Sequence, residues 1–348
     1  MTIAQSFDLQ SEAEMPDLSF AAMRLAMLHE AEEHELPLLT NSDQEIICGT
    51  PFGNLGAVAT DSGLCLRVSA ARPDWLFMLK ESMVEHLVHV VPDAIAGLRW
   101  SDAEEVGALP PNFQFVKVQS VQPVGSSFIR VQLKVANLTS YDDTSLHFRV
   151  VLPQPEQTNV VWPSVGANGA TIWPKGDAAL HKPVYTARRV DHENGLLEFD
   201  VFLHDGGRVT DWVRQLSPGD TTAIVGPGGG GVPAVDQINL YGDETGFPAI
   251  ARIVETLPPH VTGRVVLSPQ DDAARDYPFT PPKGMTVDWL PAGQSLTESA
   301  LADLAAMPDH FLWFAAEKTQ VQPVQKALRA AGIPTTGSYA GTYWGKSS

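Results

Sequence analysis

The chain has 348 residues with 23 Lys and Arg against 41 Asp and Glu, a formal charge of −18, 44% hydrophobic and 18% charged residues. That length exceeds one ordinary core and predicts two or three domains, and the composition is globular rather than disordered. A surface this acidic repels a phosphate backbone or an anionic leaflet, which argues against nucleic-acid binding and membrane association.

Residues 1–17 (MTIAQSFDLQSEAEMPD) are acidic and lack a basic segment followed by an apolar core, so no export signal is expected. No apolar run reaches the roughly 20 residues that span a bilayer, and a cytoplasmic protein without membrane insertion is the expectation. Residues 17–35 predict an amphipathic helix with Phe20, Met23, Met27 and Leu28 near helical spacing. EIICGT, LGAVAT and LCLRVSA then predict three short strands, separated by Pro51, Gly53, Asn54, Asp61 and Gly63. A helix over 75–91 follows, stopped by Pro92. Together these make an N-terminal α+β domain, 1–105, of unknown role, and 101–112 reads as an acidic, Pro-bearing linker.

Cys48 and Cys65 lie far apart with no companion at ligand spacing, so inert buried thiols are expected and neither a disulfide framework nor a metal site. His86 and His89 could share a helix face, but a third ligand is missing and a structural role is the expectation.

From Phe113 the pattern alternates, with Ile129, Val131 and Leu133 on one face of a strand; about six strands up to DTTAIVG at 220–226 predict an antiparallel barrel, domain 106–234. A helix candidate at 209–216 sits between the last two. From Asp236, strands at 238–242, 263–269, 285–290 and 311–315 alternate with helices at 245–257, 296–306 and 319–332, which predicts a parallel-sheet α/β domain, 235–348.

Three segments carry chemistry. Tyr185-Thr186, followed by Arg188 and Arg189, offers a flat face, a hydroxyl and positive charge on one strand, the needs of a bound flavin; an ordinary strand with an amphipathic Tyr is the other reading. His204-Asp205-Gly206-Gly207 leads into Val209-Thr210-Asp211-Trp212, where glycine and the free N–H groups of a helix start can hold a pyrophosphate. Thr210 as a plain N-cap is the alternative, and Asp211 disfavours an anion in that turn. Gly242-Asp243-Glu244-Thr245 lies at the carboxyl end of the first α/β strand, where open sheets bind ligands, with Pro248 suited to a first helical turn. The run GPGGGG at 226–231 precedes a strand and lacks Lys-Ser/Thr, so it fails as a nucleotide loop and reads as a flexible connection. Neither HExxH nor GxSxG occurs.

Residues 113–344 resemble the siderophore-interacting protein family, flavin-dependent ferric-siderophore reductases related to ferredoxin reductases. The likeness rests on YTARRVD at 185–191, FDVFLHDGG at 199–207, TDW at 210–212, PGD at 218–220, GPGG at 226–229, GDETGFPAI at 242–250, WFAAEKTQVQPVQKALR at 313–329 and GTYW at 341–344. Residues 36–102 resemble, more weakly, a small uncharacterised domain fused ahead of such reductases, through PFGNLGAVATDSGLCLRV and MVEHLVH.

The resemblance implies FAD in the barrel and NADH, NADPH or, in some members, ferredoxin as donor, with electrons passing through FAD to chelated ferric iron and releasing ferrous iron. It implies a ferredoxin-reductase-like fold. Tyr185 would position the flavin ring, Thr186 would hydrogen-bond its reactive edge and Arg188 would favour its anionic reduced form. Lys182, His204, Gly207, Arg208, Val209, Thr210 and Trp212 would hold the rest of FAD, Asp243, Glu244 and Thr245 would meet the nicotinamide nucleotide, and Tyr343 and Trp344 would cover the ring or the nicotinamide. Lys318, Lys326 and Arg329 would face an anionic siderophore, the last two being equally readable as a solvated helix face.

Four positions depart from the family pattern. Pro183 stands where the pattern has Arg, with Lys182 one step earlier; Gly207-Arg208-Val209-Thr210 replaces Gly-Pro-Ala-Ser; Ala315-Ala316-Glu317 replaces Ala-Gly-Glu; and the basic residue after Tyr-Trp is displaced to Lys346. Lys is a point-charge substitute for a bidentate Arg, which Arg208 can restore. These departures bear on FAD affinity and nucleotide preference. The alternatives are a non-catalytic siderophore-binding or regulatory protein on the same fold, and a reductase feeding a protein redox partner.

Overall fold

The computed structural model describes residues 7–345 except 17, 34–35, 51, 91–96, 103–104, 156, 292–293 and 335, and the side chains of 33 and 88–90 also lie outside the described set. Pro51, Pro92, Lys346 and the His89 side chain, all invoked above, therefore fall outside it, as do the expected helix ends at 17, 34–35 and 91. The chain divides into two compact units, 1–113 with 153–180 and 114–152 with 181–348.

The first unit contains β1 (Leu9–Pro16), α1 (Phe20–Glu33), β2 (Leu38–Asn41), β3 (Glu45–Thr50), β4 (Gly53–Thr60), β5 (Gly63–Ala70), α2 (Pro73–Val90), β9 (Ser164–Val165) and β10 (Thr171–Ile172). Its antiparallel sheet runs β1-β5-β4-β3-β2. The three expected strands are β3 to β5; β1 and β2 were not foreseen. In β1, Ser11, Ala13 and Met15 are buried while Glu12 and Glu14 are exposed, a period of two in which Ser11 and Ala13, polar and small, leave Met15 to carry most of the hydrophobic signal. Met23 and Met27 of α1 and Leu79, Met83 and Leu87 of α2 pack with Ile46, Leu64 and Leu66 of the sheet. Cys48 and Cys65 are free and buried, as expected. The segment read as a linker is paired: Gly107 N–H donates to Val165 O at 2.9 Å and Val165 N–H to Ala108 O at 2.8 Å.

In the second unit come β6 (Phe113–Val124, entering from the first unit at Phe113), β7 (Phe128–Lys134), β8 (His147–Val151), β11 (Val184–Thr186), β12 (Arg189–Asp191), β13 (Leu196–Phe202), α3 (Arg208–Gln215) and β14 (Thr221–Gly228). They form a seven-stranded sheet in the order β11-β8-β14-β6-β7-β13-β12. The strand read as VYTARRV is two strands. Its halves lie at opposite edges of the sheet and are joined only by Ala187 and Arg188, so the edges meet there and the barrel closes. Backbone bonds complete the closure, with Ala187 N–H on Leu146 O at 2.8 Å and Arg188 N–H on Glu198 O at 2.7 Å.

The α/β part comprises β15 (Gln237–Gly242), α4 (Phe247–Thr256), β16 (Thr262–Leu267), β17 (Gly284–Trp289), α5 (Leu296–Ala306), β18 (Phe311–Glu317), α6 (Lys318–Ala330) and β19 (Ser338–Trp344). Its sheet is parallel throughout and ordered β17-β16-β15-β18-β19. The terminal motif GTYW lies on a fifth strand, β19, that periodicity did not reveal. Chain order reverses between β15 and β18, the switch point at which such sheets bind ligands. Every residue from Phe247 to Val254 of α4 is buried, Arg252 included, so this helix is sealed on all sides and Pro248 sits in its first turn.

The glycine run is not a loose connection. Gly226–Gly228 belong to β14, Gly230 O accepts from Leu146 N–H at 3.0 Å, and a Cβ on Gly231 would lie 2.4 Å from Asp143 O. Glycine is used here because another backbone passes too close for a side chain.

Phe247, fully buried, meets Phe128 of the barrel and Tyr277, Phe279 and Trp289 of the α/β part at centroid distances of 5.6–6.1 Å. Phe247→Ala is expected to cost about 3–5 kcal/mol; urea unfolding that shows a loss below about 1 kcal/mol would contradict this account of the core.

Candidate functional site

The closing turn of the barrel carries the first group of expected residues. Tyr185 leans on Phe199 at 5.2 Å, and burial alone pushes its phenol ionisation upward. Thr186 is 5% exposed. Neither the Tyr185 nor the Thr186 hydroxyl has a hydrogen-bond partner among the described residues, and neither oxygen is fully sealed from solvent, so both remain available to a ligand. Arg188 is turned to Glu255 of α4, with Nη1 to Oε2 at 2.7 Å, and its Nε is buried without a partner.

At the other end, α3 starts at Gly207, which provides no side-chain cap, and the first intrahelical bond is Asp211 N–H to Gly207 O at 3.0 Å. The helix thus opens without a side-chain cap from the residue before it. Thr210 is not the N-cap that one reading allowed: at the third helical position its hydroxyl accepts from His204 N–H at 3.3 Å and ties the preceding loop to the helix. A Cβ on Gly207 would lie 2.5 Å from His204 Cε1, so a side chain there would have to push the exposed His204 ring aside. His181, adjacent to Lys182, has its pKa lowered by burial and then by the charge of Arg208, which puts Arg208 near the segment that leads into β11. Trp212 packs at the edge of the barrel core.

The switch point is organised by Asp243, 3% exposed. Its Oδ1 accepts from Thr245 N–H at 3.0 Å and Thr245 Oγ1 at 2.5 Å, and its Oδ2 from Glu317 N–H at 3.1 Å and Trp344 Nε1 at 2.8 Å. Glu244 turns to the backbone N–H of Gln270. Burial pushes both carboxyls up despite these bonds. Asp243 therefore joins the ends of β15, β18 and β19.

Tyr343 is held differently. Its hydroxyl lies 2.7 Å from His147 Nε2 at the start of β8, and Trp313 meets its ring edge-on at 6.1 Å. Burial, then Arg252, pushes His147 from its ordinary 6.5 to about 4, and burial also opposes Tyr343 ionisation. A neutral imidazole accepting from a neutral phenol satisfies both. β19 is thus fastened to the barrel by Tyr343 and to the α/β sheet by Trp344.

Sequence reasoning missed His147, Glu255 and Arg252. Arg252 donates to Ala187 O at 2.6 Å and Asp142 O at 2.7 Å and pairs with Asp143 at 3.1 Å. The available signal was a lone Arg within the apolar run FPAIARIV; for His147 no local signal existed. Lys318, Lys326 and Arg329 are all exposed on α6. Lys318 opens the helix at the carboxyl edge of the sheet, beside Gly345, and the helical rise carries Lys326 about 12 Å and Arg329 about 17 Å away along the axis. The structure places the first near the switch point and not the other two.

The model described as the siderophore-interacting FAD-binding domain matches residues 117–231, and that described as siderophore-interacting protein matches 235–347. The NADPH-dependent ferric-chelate reductase of Escherichia coli is 30% identical over 245 residues, 67% of this chain and 92% of that protein. The chain belongs to the siderophore-interacting protein family. The ferric vibriobactin reductase ViuB of Vibrio cholerae is a further family relative, 26% identical over 51% of this chain and 66% of its own length. The siderophore-interacting protein SipS from Aeromonas hydrophila superposes with a TM-score of 0.56 at 25% identity, over 68% of this chain and 93% of its own. A siderophore utilization protein from T. fusca shares the fold, with a TM-score of 0.58 at 24% identity over 70% of this chain and 96% of its own.

The residues present fit the family's flavin: two unpartnered hydroxyls at Tyr185 and Thr186, a Gly206-Gly207 turn beside His204, and Arg208 near His181 at a helix start without a side-chain cap. Pro183 has no side-chain donor to add, and Arg208 supplies charge at that end.

His147 stays neutral in the fold while the unfolded chain takes up the proton near pH 6.5, so its contribution to stability falls as pH drops from about 6.5 to about 4, by at most about 3 kcal/mol. The stability difference between wild type and His147→Gln should shrink over that window; a difference flat in pH would show that His147 does not titrate as buried. Arg252→Met, which strips two buried carbonyls of their donor, should cost about 2–4 kcal/mol in chemical unfolding, and a near-neutral result would refute its structural role.

Proposed function

We propose that this chain is a FAD-dependent ferric-siderophore reductase that takes electrons from NADPH or NADH, releases ferrous iron and works in the cytoplasm. The observation that carries the reading is the pair of available hydroxyls at Tyr185 and Thr186 on β11, together with the helix start at Gly207, which lacks a side-chain cap. Bound FAD supplies the conversion of two-electron nicotinamide chemistry into one-electron reduction of iron.

The chain's own part is binding and orientation. Tyr185 presents a ring face backed by Phe199, Thr186 offers a hydroxyl to the ring edge, and Arg208 with the N–H groups of Val209 and Thr210 holds the pyrophosphate. His204 and Trp212 flank that turn, and Lys182 adds charge. Arg188, paired with Glu255, braces the closing turn beside Tyr185 and Thr186. Asp243 and Glu244 shape the nucleotide end from within, leaving Thr245 and Lys318 as its outward polar groups. Tyr343 and Trp344, pinned on two sides, offer fixed aromatic groups at the end of β19. Lys318 is the cation best placed for an anionic ferric chelate, with Lys326 and Arg329 serving only a ligand that extends along α6. In no helix of the described residues is there a stretch long and apolar enough to cross a membrane.

The purified protein should be yellow, bleach anaerobically with NADPH or NADH and regain colour on adding a ferric siderophore. A colourless protein that takes up no FAD defeats the reading, and colour regained only with an oxidised ferredoxin assigns it instead to a protein redox partner. Gly207→Val, which drives a side chain into His204, should weaken FAD binding about tenfold or more while the melting of the apo-protein changes little.

A further inference from the structure

The first unit contains a cleft of about 340 Å³ between α1, α2 and the sheet, remote in sequence from both family-matched segments, 117–231 and 235–347. Four of the eight methionines of the chain, Met23, Met27, Met78 and Met83, line it. Met23, Met27, Leu66, Leu79 and Met83 are at once members of the unit's buried core and walls of this space. Interiors normally close-pack, and a space of this size lies within the range of small-molecule sites. Unbranched thioether walls adapt to the shape of a flexible aliphatic guest.

The polar groups of the cleft define the chemistry of that guest. Its ionisable groups, Glu30 and His86, close on each other at 2.7 Å. The Thr50 hydroxyl is used within its own turn, donating to Gly53 O at 2.8 Å and accepting from Phe52 and Gly53 N–H. The Ser82 hydroxyl and the Cys48 thiol are lining groups with no hydrogen-bond partner among the described residues, and burial pushes the Cys48 thiol up, which keeps it neutral. A charged head would have to open the Glu30–His86 pair, whereas an uncharged one needs only Ser82.

We infer that the cleft between α1 and α2 is a binding site for an uncharged amphiphile, with an aliphatic body against Met23, Met27, Met78 and Met83 and a carbonyl or hydroxyl head at Ser82. The site is independent of the flavin reading and stands or falls separately.

The test uses the full chain and the neutral dye N-phenyl-1-naphthylamine. Its fluorescence should rise saturably with protein, Met27→Trp and Met83→Trp should each weaken it about tenfold, and decanamide should displace it while decanoate and decylamine do not. Ser82→Ala should leave dye affinity within about twofold and weaken decanamide about fivefold. The inference is overturned by an absence of saturable fluorescence, by dye affinity unchanged in both tryptophan variants when circular dichroism shows them folded, or by decanoate or decylamine competing as well as decanamide. If the tryptophan variants do not fold, Ser82→Ala decides: equal decanamide affinity in that variant and the wild type overturns the site.

Discussion

Two guanidinium groups at one turn hold the second unit in its working form. Arg252, on a helix buried on every side, reaches out of α4 to cap Ala187 O and Asp142 O, and Arg188 reaches back to Glu255. Ala187 and Arg188 are the two residues through which the barrel sheet closes on itself. The strand before them, β11, carries Tyr185 and Thr186, so the placement of the candidate flavin face depends on a contact made by the α/β part. Removing a charged partner from such a contact is costly because the other charge is left buried, which is a reason for the two parts to fold as one unit. Tyr277 strengthens the same seam from the other side, donating to Asp200 at 2.6 Å where Asp200 already accepts the bidentate Arg130.

The end of the chain is treated the same way. β19 has one aromatic bound to the barrel through His147 and the next bound to the sheet through Asp243. Adjacent residues of a strand point to opposite faces, so consecutive aromatics can serve two structures at once. A neutral His147 suits this arrangement, since a charged imidazole would sit buried near Arg252. Asp243 shows why a motif at a switch point need not touch its ligand: its four acceptor contacts go to the protein and hold the strand ends apart at a fixed spacing.

Much of the fold was legible because the periods are strong. The α/β helices and the strands β15 to β18 carry clear apolar runs, and each appears within a few residues of its expected place. The weak cases have physical reasons: β1 faces inward with Ser11, Ala13 and Met15, β2 is a short edge strand, and β19 mixes Gly and Thr with its aromatics. The strand read as VYTARRV is divided because barrel closure requires a break, a demand that arises from the whole sheet and leaves no local mark. The glycine run looked flexible for a similar reason, since the backbone of 143–146 that approaches it is remote in sequence.

For the candidate site the division is sharper. Sequence alone determined the residue types and their order: an aromatic and a hydroxyl before paired arginines, glycines before a helix, a polar turn after the first parallel strand, and two terminal aromatics. Those follow from local chemistry, because each motif supplies a function within a few residues. Tertiary structure alone decided which of them face a ligand and which brace one another, turning Arg188 to Glu255, Asp243 to Trp344 and His147 to Tyr343. The partner of a buried charge or hydroxyl is set by which distant segment excludes water from it, and that is a property of the packed chain.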